Sequence, residues 1–456
     1  MVAARYLLAG SLLVGACTAQ AMDLMQAWQA TRERDPQAAV AEAARQAGSS
    51  RKAQAAALWR PFVMLSATAG SMNADMAMSG AHFSAPGLGQ SDGVGFGTSV
   101  ERGNSTRWLI SASQPLINQE RSAQARQLEI GADVAQWEWQ AAQQDLMLLT
   151  AQRYFDVLLA SDKLALLREQ HQAVELALTE ARDRFALGDK PITDTHEASA
   201  RAFALQAQVL ATQDELALAR QALADATGQS DAPVEPLPKA LADAQPALAP
   251  LAQWLEAAQQ GNPLLRMMAA KVQVAQQESS RFSVAAGPTL DLVAQAGRDQ
   301  LSGSGNYGAA SNTASQQMIG LQMNIPLFTG GMRSAKQDEA LRLQDKAAAE
   351  LERSRQQVSQ QTRAAWQGMQ TGSARLQALA EARKASQARL DATRLGRQVG
   401  DRTTLELLQA QNDASAAELA LEQARVELLL NRLRLHALSG QLDEQQLGQV
   451  NSMLHR

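Results

Sequence analysis

"QPLINQERSAQARQ" (Gln114–Gln127) and "IPLFTGGMRSAKQDEA" (Ile325–Ala340) are one phrase written twice in a chain of 456 residues. Each sets a proline and a leucine after an alternating apolar run, and each continues into a charged, Ala/Gln-rich helical pattern. Strand periodicity gives way to helix periodicity at the same signpost, so a sheet must end where a rod begins.

The similarity extends outward into two internal repeats. Asp35-Pro36 and Arg60-Pro61 match Asn262-Pro263 and Gly287-Pro288, and later Pro115 matches Pro326, Gly188 matches Gly400 and Gly228 matches Gly440. The offset shrinks between Gly70 and Pro115, where both halves turn to Gly, Ser and Asn; a loop would absorb such a length change. The expected organisation is a leader over 1–21, repeat 1 over 22–229, a Pro-rich connector over 230–261, repeat 2 over 262–440 and a tail over 441–456. Repeat 1 holds a strand pair near 62–116 and long helices over 118–187 and 191–227. Repeat 2 holds a strand pair near 288–328 and helices over 332–399 and 402–438.

Within the strands Leu290, Leu292, Ala294 and Ala296 alternate with Thr289, Asp291, Val293 and Gln295, and Ile319, Leu321, Met323 and Ile325 with Met318, Gly320, Gln322 and Asn324. Trp108, Ile110 and Ala112 share one face in the first repeat. Period two with one polar face implies strands between an apolar medium and a wet one. From Asn118 to Leu187 there is no proline, room for roughly 105 Å of helix at about 1.5 Å per residue. Val134, Trp137, Ala141, Leu148, Ala151, Phe155 and Leu158 keep heptad places, with Gln144 as the polar interruption, so coiled-coil packing is expected.

Aromatics make up 4% of the chain and the formal net charge is −4. Long helices packed through small residues suit that composition, and no basic face for nucleic acid is implied. The first 21 residues read as a secretory signal peptide cut after Ala19-Gln20-Ala21. A rival reading takes Val14-Gly15-Ala16-Cys17 as a lipobox with Cys17 lipidated. If the leader is removed at Ala21, the sole cysteine goes with it, and no thiol chemistry is left. No later run of 18 apolar residues exists to span a bilayer as a helix, which leaves a periplasmic protein, a secreted one or an outer-membrane barrel.

Four strands cannot close a barrel, and a sheet in lipid tolerates no open edge. Two chains would give eight strands and three would give twelve; a twelve-stranded barrel has room for a lumen. On this reading the helices prolong the tube, and the protein is a conduit.

The motifs Asp23-Leu24-Met25 with Asp35-Pro36, "PLFTGG" at 326–331, "GDKPITD" at 188–194, "VGDRTTLELLQA" at 399–410 and "LSGQLDEQQL" at 438–447 together resemble the TolC family of outer-membrane exit ducts. The resemblance covers essentially the whole chain after the leader. It implies an α+β membrane protein, a homotrimer with a twelve-stranded outer-membrane β-barrel, four strands per chain, continued by a long α-helical coiled-coil periplasmic tunnel. It also implies a periplasmic adaptor and an inner-membrane transporter, of ABC type for protein export, as partners. Type I protein secretion is favoured by the ungapped "GDKPITD" and by the lack of a clear lipobox, with multidrug efflux as the alternative.

By the same resemblance the periplasmic gate falls on Thr193, Asp194, Arg397 and Arg402, with Arg397 standing where the family has a tyrosine. The entrance constriction falls on Glu406 and Gln409. The barrel-to-tunnel junction is expected at Pro115 and Pro326, both ending the sheet, with Gly330 and Gly331 turning the second copy. Blander readings stand beside these: Asp194 as a helix N-cap, and Arg397 and Arg402 answering a helix dipole. "GSGNYG" (303–308) matches a dinucleotide pattern, but polar loop residues flank it and no helix opens after it. The five histidines show no ligand spacing and are expected in solvated places. No cofactor, metal site or enzyme activity is expected. A non-pore periplasmic coiled-coil scaffold remains the structural competitor, although it leaves the four strands without a purpose.

Overall fold

The computed structural model describes residues 21–87, 89–189, 191–229, 233–236, 248–284, 287–306 and 308–454. The leader, including Cys17 and both processing readings, lies outside them, as do Pro238, Pro246 and His455. The elements are α1 (Leu24–Arg34), α2 (Pro36–Ala57), β1 (Phe62–Ala85), β2 (Gly89–Ile117), α3 (Gln119–Ala186), α4 (Ile192–Thr227), α5 (Leu251–Gly261), α6 (Pro263–Val284), β3 (Thr289–Gly305), β4 (Gly308–Asn324), α7 (Met332–Gln398), α8 (Thr404–Leu438) and α9 (Glu444–Leu454). The order of two helices, two strands, a long helix and a shorter one occurs twice. No helix among the described residues is long and apolar enough to cross a membrane.

Each Asx-Pro pair is a helix break. Asp35 and Asn262 end one helix and start the next: Asp35 Oδ1 accepts the Gln37 N–H at 2.7 Å, and Asn262 Oδ1 accepts the Leu265 N–H at 3.1 Å. Proline follows because its missing N–H is no loss in the first helical turn.

The described residues within 1–47, 134–269 and 350–456 form one compact unit. Its core joins Leu24 and Trp28 of α1, Leu146 to Leu164 of α3, Leu216 and Leu223 of α4, Val426 to Leu433 of α8 and Leu447 and Val450 of α9. Tyr154 and Phe155 are fully buried and meet edge to face at 5.7 Å. Each such side chain contributes about 1.5–3 kcal/mol of burial. The heptad positions Ala151, Phe155 and Leu158 lie in this core, and the polar interruption Gln144 donates to the Leu442 carbonyl at 3.4 Å.

The segment after residue 441, read as a tail, is the buried helix α9. Asn451 accepts the Leu24 N–H at 3.0 Å, and Glu444 pairs with Arg32 at 2.5 Å. The connector likewise includes α5, and a parallel bridge joins Met22 to Val234.

The second unit, 48–133 with 270–349, carries one antiparallel sheet in the order β1-β2-β3-β4. Register puts Val63, Leu65 and Ala67 opposite Ala112, Ile110 and Trp108, with Ala294, Ala296, Ile319 and Leu321 on that same apolar face. The other face carries Ser111, Arg107, Asp299, Gln295 and Gln316, with Arg107 ion-paired to Asp299. Leu65 at 66%, Ile319 at 77% and Leu321 at 66% exposure make the apolar face an uncovered one.

The Gly/Ser/Asn-rich stretches, expected as loops, are strand almost throughout, because ladder hydrogen bonds rather than side chains hold them. "GSGNYG" is the β3–β4 turn, with Tyr307 outside the described residues.

Candidate functional site

The first candidate region is the pair of helical-hairpin turns. "LGD" and "VGD" end α3 and α7 in the same way. Gly188 and Gly400 take left-handed φ of 74° and 82°. Gly188 N–H bonds to the Phe185 carbonyl at 2.9 Å and Asp189 N–H to that of Arg184 at 2.9 Å; Gly400 and Asp401 bond to Arg397 and Gly396 at 3.1 and 2.8 Å. This is the Schellman arrangement, in which glycine avoids the Cβ penalty.

Beyond the second turn Thr403 caps α8. Glu406 N–H donates to Thr403 Oγ1 at 3.2 Å, while Thr403 N–H donates to Glu406 Oε2 at 2.8 Å, a closed capping box. Arg402 adds a 2.9 Å bond to Glu406. The Thr403 N–H, then Arg402, then the Thr403 hydroxyl hold the Glu406 carboxyl below the usual range.

The four gate residues divide. Arg397 pairs with Glu180 of α3 and not with Asp194, and Glu180 also receives Arg184 at 2.8 Å. Glu180 escaped the sequence reading; its signal was the i,i+4 pattern with Arg184. Arg402 turns to Glu406, four residues ahead. Thr193 and Asp194 lie exposed in the first turn of α4, and the N-cap of that helix is Pro191, so Asp194 is not the cap. Asp194 makes no ion pair within the chain among the described residues. At the entrance positions, Gln409 donates to Asp413 at 2.9 Å, and Asp413 also pairs with Arg389 at 2.8 Å.

Above the turns, α7 and α8 are joined by ion pairs beside a small apolar cluster of Leu390 with Ala410 and Ala414. Arg375, Arg383 and Arg389 of α7 meet Glu427, Glu418 and Asp413 of α8. Spacings of eight and six spread the arginines over about 120° of the α7 surface. Leu408 of α8 packs among Val174, Ala177, Leu178, Ala198, Ala202 and Leu205 of the first hairpin. A thin apolar seam and exposed ion pairs, each worth about 0–1 kcal/mol, hold these ends together.

The junction residues lie in the sheet unit. β2 runs past Pro115 to Ile117, with a register irregularity between them, and α3 begins at Gln119 after Asn118, whose Oδ1 accepts the Arg121 N–H at 2.9 Å. Pro115 therefore sits inside the strand end rather than terminating it: an irregular ladder spares the N–H that proline lacks. β4 stops at Asn324, just before Pro326, and a seven-residue passage with Gly330 and Gly331 at φ 60° and 83° leads to α7.

Among the described histidines, His436 departs from the solvated place expected for it. His436 is half-buried edge to face against Trp254, at 5.4 Å. Burial, with Arg432 assisting, lowers its pKa below the ordinary 6.5. Among the described residues no three His, Cys, Asp or Glu side chains converge to hold a metal ion.

The family model described as "Outer membrane efflux protein" matches residues 27–229 and 254–441. The chain belongs to the outer membrane efflux protein family. Among its relatives, it is 30% identical over 356 residues to the outer membrane protein TolC of Vibrio cholerae, covering 76% of this chain and 79% of that protein. It is 28% identical over 441 residues to the proteases secretion protein PrtF of Dickeya chrysanthemi, covering 95% and 91%. The fold matches the open state of the Neisseria gonorrhoeae MtrE outer membrane channel with TM-score 0.73 at 19% identity, over 92% and 90% of the two chains. This family member is thus an outer-membrane channel component.

Proposed function

We propose that the chain is one protomer of a homotrimeric exit duct for type I protein secretion, with twelve strands closing a barrel and the helices forming the tunnel below. What carries the secretion reading is the end-to-end match to a proteases secretion protein, which spans 95% of this chain. Trimer formation is supported by a four-stranded sheet whose edge strands β1 and β4 each have one side unpaired among the described residues, since an open edge in lipid is costly. A periplasmic adaptor and an inner-membrane transporter, of ABC type, would supply cargo to the helical end. The hairpin turns are the gate: Thr193, Asp194, Arg397 and Arg402 act there, joined by Glu180, with Glu406 and Gln409 at the entrance. Pro115, Pro326, Gly330 and Gly331 mark the passage from barrel to tunnel.

Multidrug efflux is the second reading, favoured by the description of the matching family. Deleting the gene and comparing the secretome with drug susceptibility separates them. Loss of one or a few exported proteins with unchanged susceptibility is expected; a normal secretome with sensitised cells would overturn the secretion reading.

A further inference from the structure

At the end of the sheet opposite α3 and α7, the two hairpins differ in reach. β3 and β4 turn at Gly305–Gly308, while β1 and β2 run on as a two-stranded ribbon with arms Ala74–Ala85 and Gly89–Val100. The ribbon leaves the line of the sheet at one place. Arg102 adopts a left-handed φ of 48°, and its N–H is held by Asn73 Oδ1 at 2.6 Å. The register slips there on both sides, between Met72 and Ala74 and between Glu101 and Asn104. A bulge of this kind bends the strand that carries it.

Past the bend the ribbon lies on the polar face. By register Leu301, Gly303, Gly305 and Asn312 share the face of Asp299 and Gln295. Val100, 4% exposed, rests where a Cβ on Gly303 would come within 2.7 Å of its Cγ1, and the Ser99 carbonyl oxygen would be 1.9 Å from a Cβ on Gly305. Asn312 of β4 donates to Met76 Sδ of β1 at 3.7 Å, although β1 and β4 are opposite edges of the sheet. Edge can meet edge only if the ribbon is curled across β2 and β3 on that face.

We propose that this ribbon is a hinged cap over the far mouth of the duct, a second constriction that selects cargo by width, with Asn73 and Arg102 as the hinge and Val100, Leu301 and Met76 as the contact. The inference rests on the duct reading, which makes the polar face the lumen. The cap is lightly held. Of the described ribbon residues only Ser99 and Val100 are buried, and an amide to a thioether is a weak bond. A contact so small yields to a folding cargo or to thermal opening.

The test labels Gln295→Cys, on the polar face, from outside intact cells with a small impermeant maleimide and with a wide polyethylene-glycol maleimide. The variant is made in the full chain, in a chain with Ala74 joined to Val100 by Asn-Gly, and in a chain carrying Met76→Cys with Asn312→Cys to lock the ribbon. Each form is also made without Gln295→Cys, so that labelling of Cys17 and, after reductant has been removed, of the two lock cysteines is subtracted. The small reagent is expected to label all forms. A cap open on the order of a tenth of the time slows the wide reagent about tenfold against the trimmed chain. The oxidised lock should abolish wide labelling, and reductant should restore it. Equal wide labelling in the full, trimmed and locked chains overturns the cap. No labelling by the small reagent in any form overturns the duct reading instead. If the trimmed chain is not exported, the reversible lock alone decides.

Discussion

At the hairpin turns the two arginines expected at the gate are each taken by a carboxylate outside that expectation. Arg402 is taken by Glu406 and Arg397 by Glu180, and Asp194 is left exposed and without an ion pair within the described chain, where a second protomer of the proposed trimer could reach it. Replacing Asp194 and Arg402 together by Ala should raise the conductance of the purified channel in planar bilayers, and the separate replacement of Glu180 should raise it as well. Each link is worth no more than about 1 kcal/mol, so single changes shift the gate without unfolding the helices. A double variant with wild-type conductance rejects these positions as the gate.

His436 gives a second test at this scale. Its folded pKa lies below 6.5 because the ring is desolvated beside Trp254 and near Arg432, with Asp443 opposing. The unfolded chain therefore binds the proton first as pH falls. The stability of this packing is complete above 6.5 and declines below it, toward the lowered folded value. Thermal melting of His436→Phe at a series of pH values should show a flatter slope just below 6.5 than the parent. An unchanged slope assigns the acid sensitivity to other groups.

Among the elements, glycine positions that look alike in sequence have unequal burdens. Gly188 and Gly440 both end long helices with φ of 74° and 72°. Around Gly188 an added Cβ meets nothing within 4 Å, whereas at Gly440 it would stand 2.1 Å from the Gly261 carbonyl oxygen. Gly188→Ala should therefore cost about 1–2 kcal/mol of backbone strain alone. Gly440→Ala should cost clearly more, since α5 must move away from α8. Urea midpoints of the two variants measure the difference, and equal midpoints would show that the close approach relaxes freely. Glycine at a C′ place was legible from "GD" and "SG"; the identity of the neighbour across the gap was not, because it lies 179 positions away in sequence.

In the whole molecule the two sheet faces define the function. Leu321 stands on the exposed apolar face and Gln322 on the polar one. If lipid covers the first and water the second, Leu321→Arg costs about 2–4 kcal/mol near mid-bilayer and depresses the outer-membrane yield. Gln322→Arg should leave yield intact. The ratio of protease-resistant protein in outer-membrane fractions reports this, and equal yields would reject the assignment of faces.

The periodicities decided much of the molecule in advance. Period two gave the strands their faces, proline-free heptads gave the rods, and Asx-Pro and Gly-Asp gave the breaks, because each of these is set by residues within one or two turns of one another. Three features needed the tertiary structure. The stretch after 441 became the core helix α9 because its Leu447 and Val450 found α1, α3 and α8. The glycine-rich segments became strand because a partner ladder was present to take their hydrogen bonds. Arg397 chose Glu180, 217 positions away, because helix packing and not sequence proximity sets which charge is closest. Local pattern fixes what each segment is; only packing decides what it meets.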